Sequence, residues 1–427
     1  MTLNRKLAPE FKTIDTIHIP QAKLFKLDNG ICVYTINSGS QELSKIEFIF
    51  KAGMYYQTQP LLASAANNLL ETGTKKYTAN ELSDNIDFFG SFFECSVEQD
   101  FSSLALFSLN RFVDKSLHYV EEIIKNPTFP KDEFDIYLSN KKQKHLVNSQ
   151  KVNVVSRRKF SELIFGENHP YGRAVKPESF DEINLDTIKA FYKSHYQSGN
   201  CTIIASGKLP DNIIESLNNF FGKDQWGTVS EISNPKVTLN TTTQLKHFIE
   251  KPDAIQSAIR VGRTLFNKTH PDYFKFQVLN TILGGYFGSR LMANIREDKG
   301  YTYGIGSGLA SLVNAGYFYI ATEVGADVTN QTLEEIYKEI KILREELVDE
   351  DELETVRNYV LGQFLRSVDG PYSLADKFKA IWEFELGYDY FENYFKAVKT
   401  VTPNDIKDLA NKYLQEKDLI ELVVGKK

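Results

Sequence analysis

The chain has 427 residues, 42% of them hydrophobic and 25% charged, with 25 glycines and 13 prolines. That length exceeds one ordinary core and predicts two domains or more, while the composition excludes a fibre and a disordered chain. Fifty Lys and Arg against 56 Asp and Glu leave a net charge of −6, with both signs spread along the chain, which excludes a global basic footprint for nucleic acid.

In chain order, the opening segment MTLNRKLAPEFKTIDTIHIP has no apolar h-region behind its basic residues, which argues against a secretory signal. No later stretch approaches the ~18 uncharged apolar residues of a membrane span. Cys32, Cys95 and Cys201 are odd in number, far apart and in no C-x-x-C pair, which argues against disulfides or a zinc ribbon and for a reducing compartment. The expectation is a soluble, cytoplasmic protein with neither nucleic acid nor membrane as partner.

Ile46, Phe48 and Phe50 alternate in KIEFIFK and predict a strand. Thr78-x-x-Glu81 is a capping box opening a helix with Leu82, Ile86 and Phe89 on one face, stopped by Gly90. Strands are predicted around 91–97 and 102–109, then helices near 114–125, 131–149 and 154–165, then a helix–strand pair ending at Ser206. The second half predicts a helix near 271–283, strands near 301–309 and 315–323, helices near 329–346 and 351–366, and a final strand at 418–424. Strands bunched early with helices after them predict an α+β fold, helices packed on a mostly antiparallel sheet.

The same architecture is written twice. Leu117 in SLHYVEEII recurs as Leu333 in TLEEIYKEI, an offset of 216, and Asp132-Glu133-Phe134 recurs as Asp351-Glu352-Leu353, an offset of 219. TIKAFYKSHYQSGNCTIIASGKL is echoed by DIKDLANKYLQEKDLIELVVGKK, with Ile188 on Ile406 and Gly207 on Gly425, an offset of 218. Echoes in the same order at nearly constant offset mark a tandem duplication. The expected division is a domain at 1–222, a polar linker at 223–245 and a second domain at 246–427.

Familiar catalytic spacings are missing. The closest two of the seven histidines, His247 and His270, are 23 residues apart, so neither H-E-x-x-H nor H-x-x-E-H occurs. There is no phosphate-binding G-x-x-x-x-G-K-[ST] and no G-x-S-x-G elbow. Gly304-x-Gly306-x-Gly308 sits inside an alternating run instead of at a strand-to-helix junction, and the acidic run from Glu345 to Glu354 lacks the order of a calcium loop.

One segment carries a resemblance. Leu283-Gly284-Gly285-Tyr286-Phe287-Gly288-Ser289-Arg290-Leu291-Met292-Ala293-Asn294-Ile295-Arg296-Glu297-Asp298-Lys299-Gly300-Tyr301-Thr302-Tyr303 resembles the Arg/Tyr signature of the M16 (pitrilysin or insulinase-like, inverted-zincin) metallopeptidases. In that signature an Arg is followed seven residues later by a Tyr across a helix-to-strand junction, as Arg296 and Tyr303 are here. The resemblance spans nearly the whole chain, because M16 members consist of tandem α+β halves of about this size.

The family's first half should carry H-x-x-E-H on a helix. The matching helix here is LLASAANNLLETGTKK, and the register set by Gly73-Thr74-Lys75-Lys76 puts Ser64 and Asn68 at the histidine positions and Asn67 at the general-base glutamate. The distal glutamate should lie near Gln143–Lys144, yet no Asp or Glu occurs between Asn140 and Ser161. Hydroxyl and amide oxygens are poor zinc ligands beside imidazole and carboxylate, so no zinc is expected on this chain.

The resemblance therefore implies the non-zinc-binding subunit of a heterodimeric M16B endopeptidase. An H-x-x-E-H partner would bring the zinc, and Arg296 and Tyr303 would bind an unfolded peptide and stabilise the oxyanion formed on it. Alone, such a chain would be inactive. The competing reading is a non-enzymatic M16-like scaffold or peptide-binding protein; a stand-alone hydrolase using other residues ranks last.

Overall fold

The computed structural model describes residues 17, 19–227, 232, 234, 235 and 237–426. Among them eleven strands form two sheets. The first contains β1 (Lys23–Lys26), β2 (Cys32–Asn37), β3 (Leu43–Phe50), β4 (Phe92–Val97), β5 (Ser102–Leu109) and β6 (Cys201–Gly207), in the order β1-β2-β6-β3-β5-β4. The second contains β7 (Lys246–Glu250), β8 (Gln256–Leu265), β9 (Ile305–Leu312), β10 (Ala315–Gly325) and β11 (Ile420–Gly425), in the order β7-β11-β8-β10-β9.

Without β1 the two orders are the same, and each sheet has one parallel pair, β2 with β6 and β7 with β11, among antiparallel neighbours. Register agrees too. Glu47 on β3 lies opposite Ile204 and Ala105, and Arg260 on β8 lies opposite Leu422 and Ala321. Gly207 and Gly425 end equivalent strands with φ of 125° and 148°. A Cβ on Gly207 would stand 2.1 Å from the Leu43 carbonyl oxygen and one on Gly425 2.6 Å from Ser257 Cα, so the neighbouring strand admits only glycine there. The fold is α+β and duplicated, as expected.

Fourteen described α-helices accompany the sheets. In the first half these are α1 (Leu62–Asn68), α2 (Ala79–Phe88), α3 (Val113–Lys125), α4 (Lys131–Asn148), α5 (Val152–Phe165), α6 (Ser179–Glu182), α7 (Leu185–His195) and α8 (Ile213–Leu217). In the second they are α9 (Tyr273–Asn280), α10 (Thr329–Glu345), α11 (Glu350–Arg366), α12 (Pro371–Trp382), α13 (Asp389–Thr400) and α14 (Pro403–Tyr413). Thr78 and Glu81 form the expected capping box on α2, and reciprocal boxes also open α7 at Asn184 and α14 at Thr402, again 218 residues apart. Trp226, just past the predicted end of the first domain, packs into the first core.

Each sheet buries one face in a core of its own half. The opposite face is covered by a helix from the other half. Phe160, Leu163, Ile164 and Phe165 of α5 pack with Ile420, Leu422 and Val424 of β11. Reciprocally, Leu374, Ala375 and Phe378 of α12 pack with Ile36, Ile49 and Ile204 of β2, β3 and β6. Burying each of the larger of these side chains is worth about 1.5–3 kcal/mol, so the two halves are bound together by their helices. The hairpin turns add a polar tie: the Tyr171 hydroxyl donates to Asp100, whose other oxygen accepts from the Val313 amide at 3.1 Å.

Between α12 and the first sheet lies a cavity of about 380 Å³, bordered by Glu47, Glu94, Glu98, Asp376 and Glu383 together with Lys45 and Lys379. The lysines are matched internally: Lys379 meets Glu47 at 2.6 Å, and Lys45 meets Asp376 at 3.1 Å and Glu47 at 3.3 Å. Burial pushes the Glu383 carboxyl up to about 7. A carboxyl raised on folding stabilises the protein below its unfolded value, and that contribution is lost as pH climbs toward 7. Glu383→Gln should therefore melt like the parent near pH 5 and be about 1–2 kcal/mol more stable at pH 8. Parallel melting curves at the two pH values would refute this.

Two elements differ from expectation. The strand predicted at 301–309 begins only at Ile305, because Thr302 Oγ1 accepts from the Gly304 amide at 3.1 Å and donates to the Glu323 carbonyl at 2.7 Å, holding a turn. The helix predicted at 271–283 is regular only through Asn280, then widens into a π-helical turn over Thr281–Gly285. There Gly284 lies so close to β9 that a Cβ would stand 2.7 Å from the Ser307 nitrogen.

Candidate functional site

Helix α1 carries the three degenerate positions. It starts from Leu61 in the left-handed region at φ 74°, a strained entry for a branched residue. Ser64 Oγ donates back to the Leu61 carbonyl at 3.0 Å, and Asn68 Nδ2 donates to the Ser64 carbonyl at 2.7 Å. Both side chains are thus engaged in holding the helix start.

Asn67 is fully buried. Its Nδ2 donates to the Ser96 carbonyl on β4 at 3.1 Å and reaches the Ser103 carbonyl on β5 at 3.5 Å, while its Oδ1 accepts from the Tyr196 hydroxyl at 2.8 Å. The position expected for a general base is a structural amide bridging two strands and α7's end.

Gln143 and Lys144, where the distal ligand is expected, are exposed on α4. On α4 the residue that meets Ser64 is Tyr137, whose hydroxyl donates to Ser64 Oγ at 3.1 Å. Burial pushes the Tyr137 phenol up to about 12. Lys141, one turn on, places its ammonium 5.2 Å from the Tyr137 ring centre. Burial and the nearby Lys144 hold Lys141 below its ordinary value. A hydroxyl, two amides and a lysine are the wrong donors for zinc, so these residues do not fit the ion that the family's H-x-x-E-H helix carries. Among the described residues no group of three or more His, Cys, Asp or Glu side chains is placed to hold a metal ion. His18 lies outside those residues; of the other histidines, His145 and His169 are buried, and His195 and His270 stack on Phe191 and Phe266.

The Arg/Tyr segment is presented very differently. Met292–Asp298 winds as a π-helix, and the Arg296 guanidinium stacks 4.5 Å from the ring centre of Phe287, a phenyl that is itself 61% exposed. Arg296 forms no ion pair among the described residues. Seven residues on, after the turn held by Thr302, Tyr303 is 96% exposed and makes neither a hydrogen bond nor a ring contact among them. Tyr303 borders an open cavity of about 550 Å³ between α5, β8 and β10; Arg296 does not line it.

Two arginines absent from the sequence-based site, Arg157 on α5 and Arg260 on β8, line the same cavity. The available signal was the placement of Arg260 in QSAIRVGRTL, a charge inside an otherwise buried strand. Arg157 left no local signal, since an arginine on an amphipathic helix reads as ordinary surface. Tyr137 and Tyr196 were likewise invisible, because their partners are 73 and 129 residues away in sequence.

Comparison with known proteins accords with this geometry. Residues 32–170 match the family described as insulinase (peptidase family M16), and residues 182–360 match the peptidase M16 inactive domain. The chain is similar to the uncharacterized zinc protease YmxG of Bacillus subtilis strain 168, 21% identical over 81% of this chain and 84% of the relative. It is also similar to the probable inactive metalloprotease YmfF of the same organism, 23% identical over 69% of this chain and 70% of the relative. The crystal structure of a peptidase M16 inactive domain from Pseudomonas fluorescens superposes with a TM-score of 0.84 at 22% identity, covering 95% of this chain and 98% of that one. Matched in both halves and folded alike from end to end, the chain is a member of peptidase family M16 that lacks the family's zinc-binding residues.

Proposed function

We propose that this chain is the non-zinc-binding subunit of a two-chain M16 endopeptidase, lending Arg296 and Tyr303 to a peptide whose hydrolysis is carried out at a partner's H-x-x-E-H site. The observation that supports this most directly is the exposure of Tyr303. A tyrosine 96% open to solvent at the rim of a cavity is unused by its own fold. The side chains read as degenerate ligand and base positions behave oppositely, being consumed in internal hydrogen bonds.

In this reading the phenol and the guanidinium donate hydrogen bonds to the substrate carbonyl and bind more tightly as negative charge develops on its oxygen. Such donors contribute most when fixed in a site from which water is excluded. Stacking on Phe287 restricts Arg296 while leaving its N–H groups available. Closure of the partner over Tyr303 and Phe287 would supply the dry surroundings that this chain lacks alone.

The test is reconstitution. The chain is mixed with an H-x-x-E-H M16 protein encoded in the same genome and assayed on a quenched, unstructured peptide. Turnover is expected from the mixture and from neither component alone. Hydrolysis by this chain alone would overturn the proposal. A stable complex in which it adds nothing to the partner's turnover would favour the non-enzymatic scaffold, a reading consistent with the name of the relative YmfF.

A further inference from the structure

The duplication allows the two halves' cavities to be compared position by position. Glu47 and Arg260 occupy the same register point of their sheets, opposite Ile204 and Ala105 in one and Leu422 and Ala321 in the other. Asp376 on α12 and Arg157 on α5 are 219 residues apart, the offset of the helices that follow each repeat's long hairpin. Each cavity is thus framed by a charged side chain from the central strand and another from the exchanged helix.

Their charge states differ. In the first cavity both lysines are ion-paired with Glu47 or Asp376 at 2.6–3.3 Å. In the second, neither Arg157 nor Arg260 has a carboxylate oxygen within 4.0 Å among the described residues. Arg260 Nε reaches Ser156 Oγ at 3.3 Å, and its two terminal nitrogens have no protein acceptor yet are not sealed from solvent. Burial, reinforced by the Arg157 charge, holds Arg260 below its ordinary value. The one acid on the lining, Glu323, accepts from Asn153 Nδ2 at 2.8 Å. A half-buried guanidinium with free terminal donors beside a second arginine is an incomplete charge pair.

We propose that this cavity is a subsite for a carboxylate of the bound peptide, held by Arg260 from beneath and Arg157 from the rim. It deepens the reading of Tyr303 as a peptide contact and rests on it, since Tyr303 borders the same cavity. The carboxylate is either the chain's C-terminus or an Asp or Glu side chain. Both offer the planar pair of oxygens that a guanidinium fork accepts.

The experiment uses the full chain without a partner and fluorescein-labelled unstructured twelve-residue peptides, read by anisotropy at low salt. One pair differs only in a C-terminal acid against an amide, another only in a Glu against a Gln. At least one acid form is expected to bind about tenfold more tightly than its neutral twin, with the preference falling below about threefold in Arg260→Gln and in Arg157→Gln. Which pair discriminates identifies the source of the carboxylate. Arg157 is exposed, so its variant keeps the fold and leaves the test intact if Arg260→Gln unfolds. Equal affinity within both pairs would overturn the subsite while leaving peptide binding standing. Absence of binding to every peptide would overturn both.

Discussion

Asn67→Ala should destabilise the chain by about 3 kcal/mol or more, although the register of its helix reads the residue as the family's catalytic-base position. The substitution removes three hydrogen bonds at a fully buried position, leaving the Tyr196 hydroxyl without an acceptor and the Ser96 and Ser103 carbonyls without their amide. Each stranded buried group costs about 1–3 kcal/mol, and the void adds to that. In urea melts the midpoint should fall with little change in slope. A double-mutant cycle with Tyr196→Phe should return a coupling of about 1 kcal/mol or more. Asn67→Glu should be worse, since it forces an extra methylene and a carboxylate into a closed site that faces the Ser96 and Ser103 carbonyl oxygens. Restoring the motif by Ser64→His, Asn67→Glu and Asn68→His together should therefore yield an unstable protein without stoichiometric zinc. A stable triple variant holding one zinc per chain would show that this helix is a metal site merely emptied by three substitutions.

Arg296→Ala and Tyr303→Phe should act in the opposite sense. Neither side chain supports the core, so each variant should unfold within about 0.5 kcal/mol of the parent. In the reconstituted two-chain enzyme each should lower kcat by about 10²–10³. KM should move much less, because donors that tighten on a developing oxyanion are felt chiefly in the transition state. Steady-state kinetics on one peptide separates the two parameters. Unchanged kcat in both variants would leave these residues as surface features and return the chain to the scaffold reading.

The legible parts of the fold were those whose signal is local or repeated. The capping box at Thr78, the strand at Ser102–Leu109 and the long helices α3, α10 and α11 declare themselves through turn chemistry and amphipathic spacing. The near-constant offset exposed the duplication because both copies kept the same helix and strand boundaries. Strands β1, β2, β7 and β8 escaped notice. β8 is covered on both faces and so shows no clean alternation, and β2 and β7 find their parallel partners over 160 residues away. Helices α12 and α13 were missed as well; the apolar face of α12 answers to the other half's sheet, and that of α13 packs on Phe274 of α9 and Phe364 of α11.

At the site, the register of one helix reads Ser64, Asn67 and Asn68 as the degenerate positions, but the present use of those side chains was not legible. Asn67 is explained by a tyrosine that only the folded chain brings near. Arg260 shows the same limit from the other side. A charge in a strand reads as an exposed face until the register reveals that its counterpart Glu47 is ion-paired and it is not.

The reciprocal trade of α5 and α12 has a mechanical corollary. A molecule whose halves each clasp the other's back through an apolar helix has no interior pivot: swinging the halves apart would expose Phe160, Phe165, Leu374 and Phe378 to water at once. In the proposed two-chain enzyme, a gate that admits a peptide would then work where this chain meets its partner, with this chain moving as a single stiff jaw.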